Sequence, residues 1–158
     1  MFDTTKTEQV AIEMRAYGLH ILGVSESRWT GFGTSRTREG ETILYSGRDD
    51  NIHGAGVALI LRKGVERSMI EWKPVNERLM TARFRGRHGK LTVIQTYAPT
   101  NDAEEEEKDR FYSSLAKEAE NTPAHDVLII MGDLNAKVGS SNEGFELAMG
   151  KHGCGEIN

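Results

Sequence analysis

The sequence predicts an α/β fold with layered sheets. Three observations carry this: two segments with helical apolar periodicity, a long run of strand-like segments between them, and polar residues placed at the ends of three apolar strands. At 158 residues the chain fits one domain, large enough to bury a core without disulfides or a structural metal. With 37% hydrophobic and 28% charged residues it reads as a soluble globular protein, and 17 glycines against 3 prolines predict many tight turns.

The elements follow in order. "TKTEQVAIEMRAYG" sets Glu8 three residues after Thr5, the capping-box spacing that satisfies free amides at a helix start. Val10, Met14 and Tyr17 then share a face, and Gly18 supplies a left-handed stop. "LHILGVSE" reads as a short strand covered on both faces, because its apolar run has no polar alternation; it ends at Ser25 and Glu26.

"ETILYSG", "GAGVALILRK", "SMIEWKPV", "RLMTARFRG" and "KLTVIQTYA" are apolar or alternating, with Gly54, Asn76 and Gly89 at turns, and they predict a meander. "PTNDAEEEEKDRFYSSLAKEAEN" predicts a helix capped by Asn101 or Asp102, acidic in its first turns where the macrodipole favours carboxylates. Phe111, Leu115 and Ala119 face inward. "DVLIIMGD" is the last clear strand; from Gly139 onward there is no clean period.

Composition also narrows function. No apolar run approaches a membrane span, and "MFDTTKTEQV" has neither a basic nor an apolar signal region, so no membrane partner is expected. The single cysteine, Cys154, excludes an internal disulfide framework and fits a reducing, intracellular compartment. A net charge of -4 argues against coating nucleic acid by charge alone. "RLMTARFRGRHGK" still offers a local basic face through Arg78, Arg83, Arg85, Arg87, His88 and Lys90, while "EEEEK" concentrates acid elsewhere; solvated surface is the plain alternative for both.

Glu26, Tyr97, and Asp133 with Asn135 each follow an apolar strand, and in layered α/β folds sites gather where such ends converge. A carboxylate set with amide oxygens suits a hard divalent cation, Mg2+ before others, which takes few protein ligands and completes its shell with water and phosphate. Scattered histidines and one cysteine give no zinc spacing, and "GFGTSRTREG" lacks a P-loop lysine and a preceding strand. For a phosphodiester, Glu26 could hold the metal, Asp133 orient water, Asn135 donate to the phosphate, and Tyr97 donate its hydroxyl. Taken singly, Glu26 is equally a charged loop residue, Tyr97 a half-buried aromatic, and the Asp-x-Asn pair a turn.

Together, "LGVSESRW", "TYAPT" and "MGDLNAKVG" have the order and spacing of the endonuclease/exonuclease/phosphatase superfamily, and the chain resembles most the apurinic-type endonuclease domain of non-LTR retrotransposons. The resemblance spans nearly the whole chain, from "EQVAIEMRAYGLHILGVSESRW" to "MGKHGCGEIN". It implies a four-layer α/β sandwich, two packed sheets flanked by helices. It also implies Mg2+-dependent (or Mn2+-dependent) hydrolysis of a phosphodiester in DNA, and nuclear action.

By motif, Glu26 would be the metal ligand, Tyr97 the active-site tyrosine, and Asp133 and Asn135 the water- and phosphate-orienting pair. The family's first strand with its asparagine, and its last strands with an aspartate and a Ser-Asp-His segment, have no counterpart here. None of His20, His53, His88, His125 or His152 lies in such a segment. Three expectations follow: a partial domain over residues 1–158 with weak or no catalysis, self-association through unpaired sheet edges, and, as the alternative, a non-catalytic module that binds nucleic acid or protein.

Overall fold

The computed structural model describes residues 4–157. Two four-stranded sheets stack face to face, with a helix on each outer side. The first sheet holds β1 (Ile21–Ser25), β2 (Phe32–Arg36), β3 (Thr42–Ser46) and β4 (Val57–Leu61) in the order β1-β4-β3-β2, all antiparallel. The second holds β5 (Met69–Asn76), β6 (Leu79–Arg85), β7 (Lys90–Tyr97) and β8 (Asp126–Asp133) in that order; β7 and β8 run parallel. A parallel pair needs a crossover, and α2 (Glu105–Glu120) supplies it.

Side-chain alternation explains the layers. On the first sheet Leu44, Val57, Leu59 and Leu61 face the second sheet and bury against Met80, Ala82, Phe84 and Val93. Residues of opposite parity, Ile43, Ala58 and Ile60, bury outward against Met14 of α1 (Thr4–Ala16), with Val10 and Trp29 at the margin. On the second sheet Leu79 and Ile94 point away from the first and are fully buried. The Lys73–Glu118 ion pair (2.6 Å) fastens α2 to this sheet. The four-layer α/β sandwich is the architecture that the resemblance implied.

Two polar ties add register. Glu41, 1% exposed at the start of β3, accepts from Thr37 and from Arg15 of α1 at 2.5 Å. Asp126, at the start of β8, accepts from Arg83 on β6 at 2.6 and 3.0 Å and from Thr92 on β7 at 2.9 Å. Arg83 thus belongs to a strand-pinning network, and Arg78 pairs with Glu107 (2.8 Å). The basic segment therefore divides: Arg85, Arg87, His88 and Lys90 are exposed, while Arg78 and Arg83 are committed to carboxylates.

Several local expectations need correction. Tyr17 does not join the buried face of α1; that helix ends at Ala16, and Tyr17 is 77% exposed beyond it, beside the left-handed Gly18. Thr5 lies inside the helix rather than at its cap, and Glu8 reaches forward to the Arg38 amide (2.9 Å). The cap of α2 is Glu104, not Asn101 or Asp102; Leu115 and Ala119 are only half-buried while Phe111 is buried.

β1 is half-buried throughout, because it is the edge of its sheet. The meander breaks between β4 and β5, which lie in different sheets, and β2 forms within "GFGTSRTREG", where the sequence predicts no strand. β8 has the expected bounds, and no helix or strand follows Gly139 among the described residues.

Candidate functional site

The parallel register of β7 and β8 places Tyr97 directly beside Asp133, so two of the sequence-predicted residues meet at one sheet end. Ser25, the last residue of β1, brings the opposite sheet to the same point. Its hydroxyl donates to the Thr96 carbonyl (2.8 Å) and accepts from the Asp133 amide (3.1 Å) and from Gln95 Nε2 (3.1 Å). Glu26 follows Ser25 in the chain, so three strand ends converge as the polar endings predicted.

The Gly-Asp-x-Asn turn is built from its own side chains. The Asn135 amide nitrogen donates to Asp133 Oδ1 (2.9 Å), an Asx turn, and Asn135 itself takes φ 46°, a left-handed value that asparagine tolerates. Its side-chain Nδ2 donates to the Ala98 carbonyl (2.8 Å), and the Ala98 amide donates to the Asp133 carbonyl (2.8 Å). The turn is thereby sewn to the chain just after Tyr97. Gly132 is required by two facts at once: φ is 136°, and a Cβ would stand 2.0 Å from the Thr96 carbonyl oxygen.

Glu26 stands in a strained segment. Glu26 and Arg28 have φ of 55° and 58°, and the fully buried Ser27 between them is held by its amide on the Gly56 carbonyl (2.8 Å). The Arg28 amide donates to the Ala55 carbonyl (2.9 Å), and His53 Nδ1 meets the Arg28 carbonyl at 3.1 Å. His53 is thus a loop-holding residue. Non-glycine left-handed residues cost energy and persist only where surroundings over-determine them, which the β4 entry loop does here.

The segment turns the Glu26 carboxylate onto Arg28, whose Nη2 and Nε lie 2.6 and 3.1 Å from Oε1. Both side chains are exposed, at 45% and 60%, so the pair is weak in free energy. The bond from Glu26, with a smaller contribution from its charge, raises the Arg28 pKa above the ordinary arginine value.

A groove of about 370 Å³ opens beside Asp133 and Asn135, with Asn101 and Lys137 on its wall. Over the Tyr97 ring, Arg78 lies with its guanidinium carbon 5.4 Å from the centroid. It lines a larger cleft of about 790 Å³ with Arg48, Glu107 and Arg110. Ser25, Arg28, Arg78 and Lys137 were not foreseen as site residues. Ser25 and Arg28 stand one and two residues from Glu26, Lys137 lies within the segment around the Gly-Asp-x-Asn motif, and the signal at Arg78 was its place in the basic segment.

No group of three or more His, Cys, Asp or Glu side chains fit to hold a metal occurs among the described residues. The donor set therefore fits Mg2+ in its minimal form alone, one carboxylate anchoring an ion that keeps most of its waters. Glu26 has the chemistry for that role, in competition with Arg28.

No protein-family model matches the chain. It is similar to craniofacial development protein 2 of Bos taurus, 45% identical over 135 residues, which is 85% of this chain and 22% of that protein. It is likewise similar to craniofacial development protein 2 of Tragulus javanicus, 44% identical over 135 residues, 85% of this chain and 23% of the relative. The chain thus matches less than a quarter of the length of either relative, and within that span it has homologues named craniofacial development protein 2.

Proposed function

We propose that the convergent strand ends form a phosphodiester-cleaving centre, a Mg2+-dependent endonuclease site of the retrotransposon type acting on DNA. The observation that supports this reading is the juxtaposition of Tyr97 with Asp133 across β7 and β8, tied through Ser25 to the strand that delivers Glu26. Mg2+, or Mn2+ in its place, would be held by Glu26 and would offset negative charge developing on the phosphate.

The protein's own groups do the rest. Asp133 sits exposed at the groove, where its carboxylate can orient a water, while its Oδ1 also holds the Asn135 amide. Asn135, fixed on the Ala98 carbonyl, presents its amide at the same wall, and the Tyr97 hydroxyl would donate to a phosphate oxygen. A single anchoring carboxylate supports low turnover, since a catalytic unit loses orders of magnitude when members are missing. Nuclear action is part of the same proposal, and the resemblance alone supports it.

The second reading is a non-catalytic module that binds nucleic acid or protein. The absence of a three-ligand metal cluster among the described residues, and an apolar sheet edge at β8, favour it.

Supercoiled-plasmid nicking in Mg2+ separates the two, with the chain run beside a Glu26→Ala, Asp133→Ala double variant. Slow nicking that is lost in the double variant is the expected result. Equal traces from the two folded proteins would overturn the catalytic reading and leave the binding one.

A further inference from the structure

We propose that Arg78 is the positioning residue for Tyr97, and that Glu107 on α2 sets where Arg78 stands. The functional part of this inference rests on the catalytic reading above; the geometric part does not.

Tyr97 is held by Arg78 through three separate contacts. The Tyr97 amide donates to the Arg78 carbonyl (2.9 Å), the Tyr97 carbonyl accepts from Arg78 Nη1 (3.3 Å), and the guanidinium lies 5.4 Å from the ring centroid, within cation–π range. The backbone contacts fix the strand end; the guanidinium is the side-chain contact recorded over the ring. Its own position is determined at both ends. The Arg78 amide donates to Asn76 Oδ1 (2.8 Å), locking the turn between β5 and β6, and Nη2 donates to Glu107 Oε1 (2.8 Å).

The side chain is 21% exposed, and its Nε is buried with no hydrogen-bond partner among the described residues. An orphaned buried donor costs free energy, so a residue chosen for packing or pairing alone would be better served by a different side chain. What the arrangement gains is a planar cation clamped between Tyr97 and a carboxylate on the crossover helix. Arginine suits this because its fork is rigid and stays charged across the working pH range, whereas lysine would offer the charge without the plane. The crossover helix thereby bears on the tyrosine through one guanidinium.

The test uses the full chain with ring-13C tyrosine. Its tyrosines are Tyr17, Tyr45, Tyr97 and Tyr112, and a Tyr97→Phe variant assigns the relevant resonances. Arg78→Met should move the Tyr97 ring signals and leave the other three in place. In the nicking assay it should lower kcat by about 10- to 100-fold with KM changed less than about threefold, as expected when a reacting group is misplaced by a fraction of an ångström. Arg78→Lys should recover part of that loss. Glu107→Gln, which keeps the arginine and loosens its outer anchor, should move the same signals by less; it decides the matter if Arg78→Met does not fold.

Unmoved Tyr97 signals in a folded Arg78→Met protein would overturn the proposal. Moved signals with unchanged kcat would overturn its functional part. If the wild-type chain shows no Glu26- and Asp133-dependent nicking, the catalytic reading falls, and the functional part with it; the ring signals then still decide whether Arg78 positions Tyr97.

Discussion

The backbone amide of Asp133 donates to the hydroxyl of Ser25 at 3.1 Å, a single bond that joins the end of one sheet to the end of the other across 108 residues of sequence. The same hydroxyl serves Gln95 and Thr96, so one small side chain holds together the segments that carry Glu26, Tyr97 and Asp133. Ser25→Ala should leave Gln95 Nε2 and the Asp133 amide short of an acceptor and cost about 1–3 kcal/mol. Urea unfolding read as a midpoint shift at constant m-value checks this.

Gly132→Ala should be worse. The added methyl would meet backbone, not a movable side-chain tip, and the residue would keep an unfavourable φ. Strain and overpacking together predict about 2–4 kcal/mol of destabilisation. A midpoint within about 0.5 kcal/mol of wild type would show that β8 can slide away from Thr96.

Acid should destabilise the fold at the carboxylates that pin it. Bonding to Arg48 lowers the Asp50 pKa from 3.8 to about 2, and bonding to Arg83, then Thr92, lowers that of Asp126. Burial pushes Glu41 up, but the bonds from Thr37 and Arg15 outweigh it and leave its pKa below the ordinary glutamate value. Each group binds its proton more weakly folded than unfolded. Their stabilisation is therefore complete above about pH 5 and lost as pH falls from about 4 toward 2. Thermal midpoints between pH 6 and pH 2.5 should fall, and less steeply in Arg83→Gln, where the folded-state preference of Asp126 for ionisation is largely removed.

Arg28 occupies the carboxylate that the proposed magnesium needs. Arg28→Ala should raise the apparent Mg2+ affinity by a few-fold, as expected for removing an exposed competitor worth less than about 1 kcal/mol. Mg2+-induced shifts of the Glu26 side-chain resonance measure it, with Glu26→Gln as the control that should abolish the response.

β8 is an edge strand with Val127 63%, Ile129 43% and Ile130 43% exposed, and it carries neither proline, bulge nor interior charge. The opposite edge, β5, is interrupted by Pro74 and two register shifts. Pairing through β8 should give concentration-dependent self-association, reduced by Ile130→Lys, which puts a charge on the exposed edge. Sedimentation across a hundredfold concentration range would show it; one unchanging monomer boundary would count against it.

The strand bounds of β8, the helical character of α1 and α2, and the gathering of Glu26, Tyr97, Asp133 and Asn135 at strand ends were legible in the sequence, because apolar periodicity and turn chemistry are local signals. Other features depend on partners far away in sequence. β2 exists because β3 supplies its ladder, and its own residues, "FGTSR", carry no apolar alternation. Tyr17 falls outside the buried face because α1 stops one residue earlier. Arg78 reads as part of a basic patch until the β5–β6 turn and α2 bring Asn76, Glu107 and Tyr97 around it.

The sequence by itself determined which residues have the chemistry for a site and which strands deliver them. The tertiary structure alone decided that the sheets meet through Ser25 and that an arginine from the β5–β6 turn lies over the ring of Tyr97. Pairings across such separations are set by packing and register, which no local pattern of residues encodes.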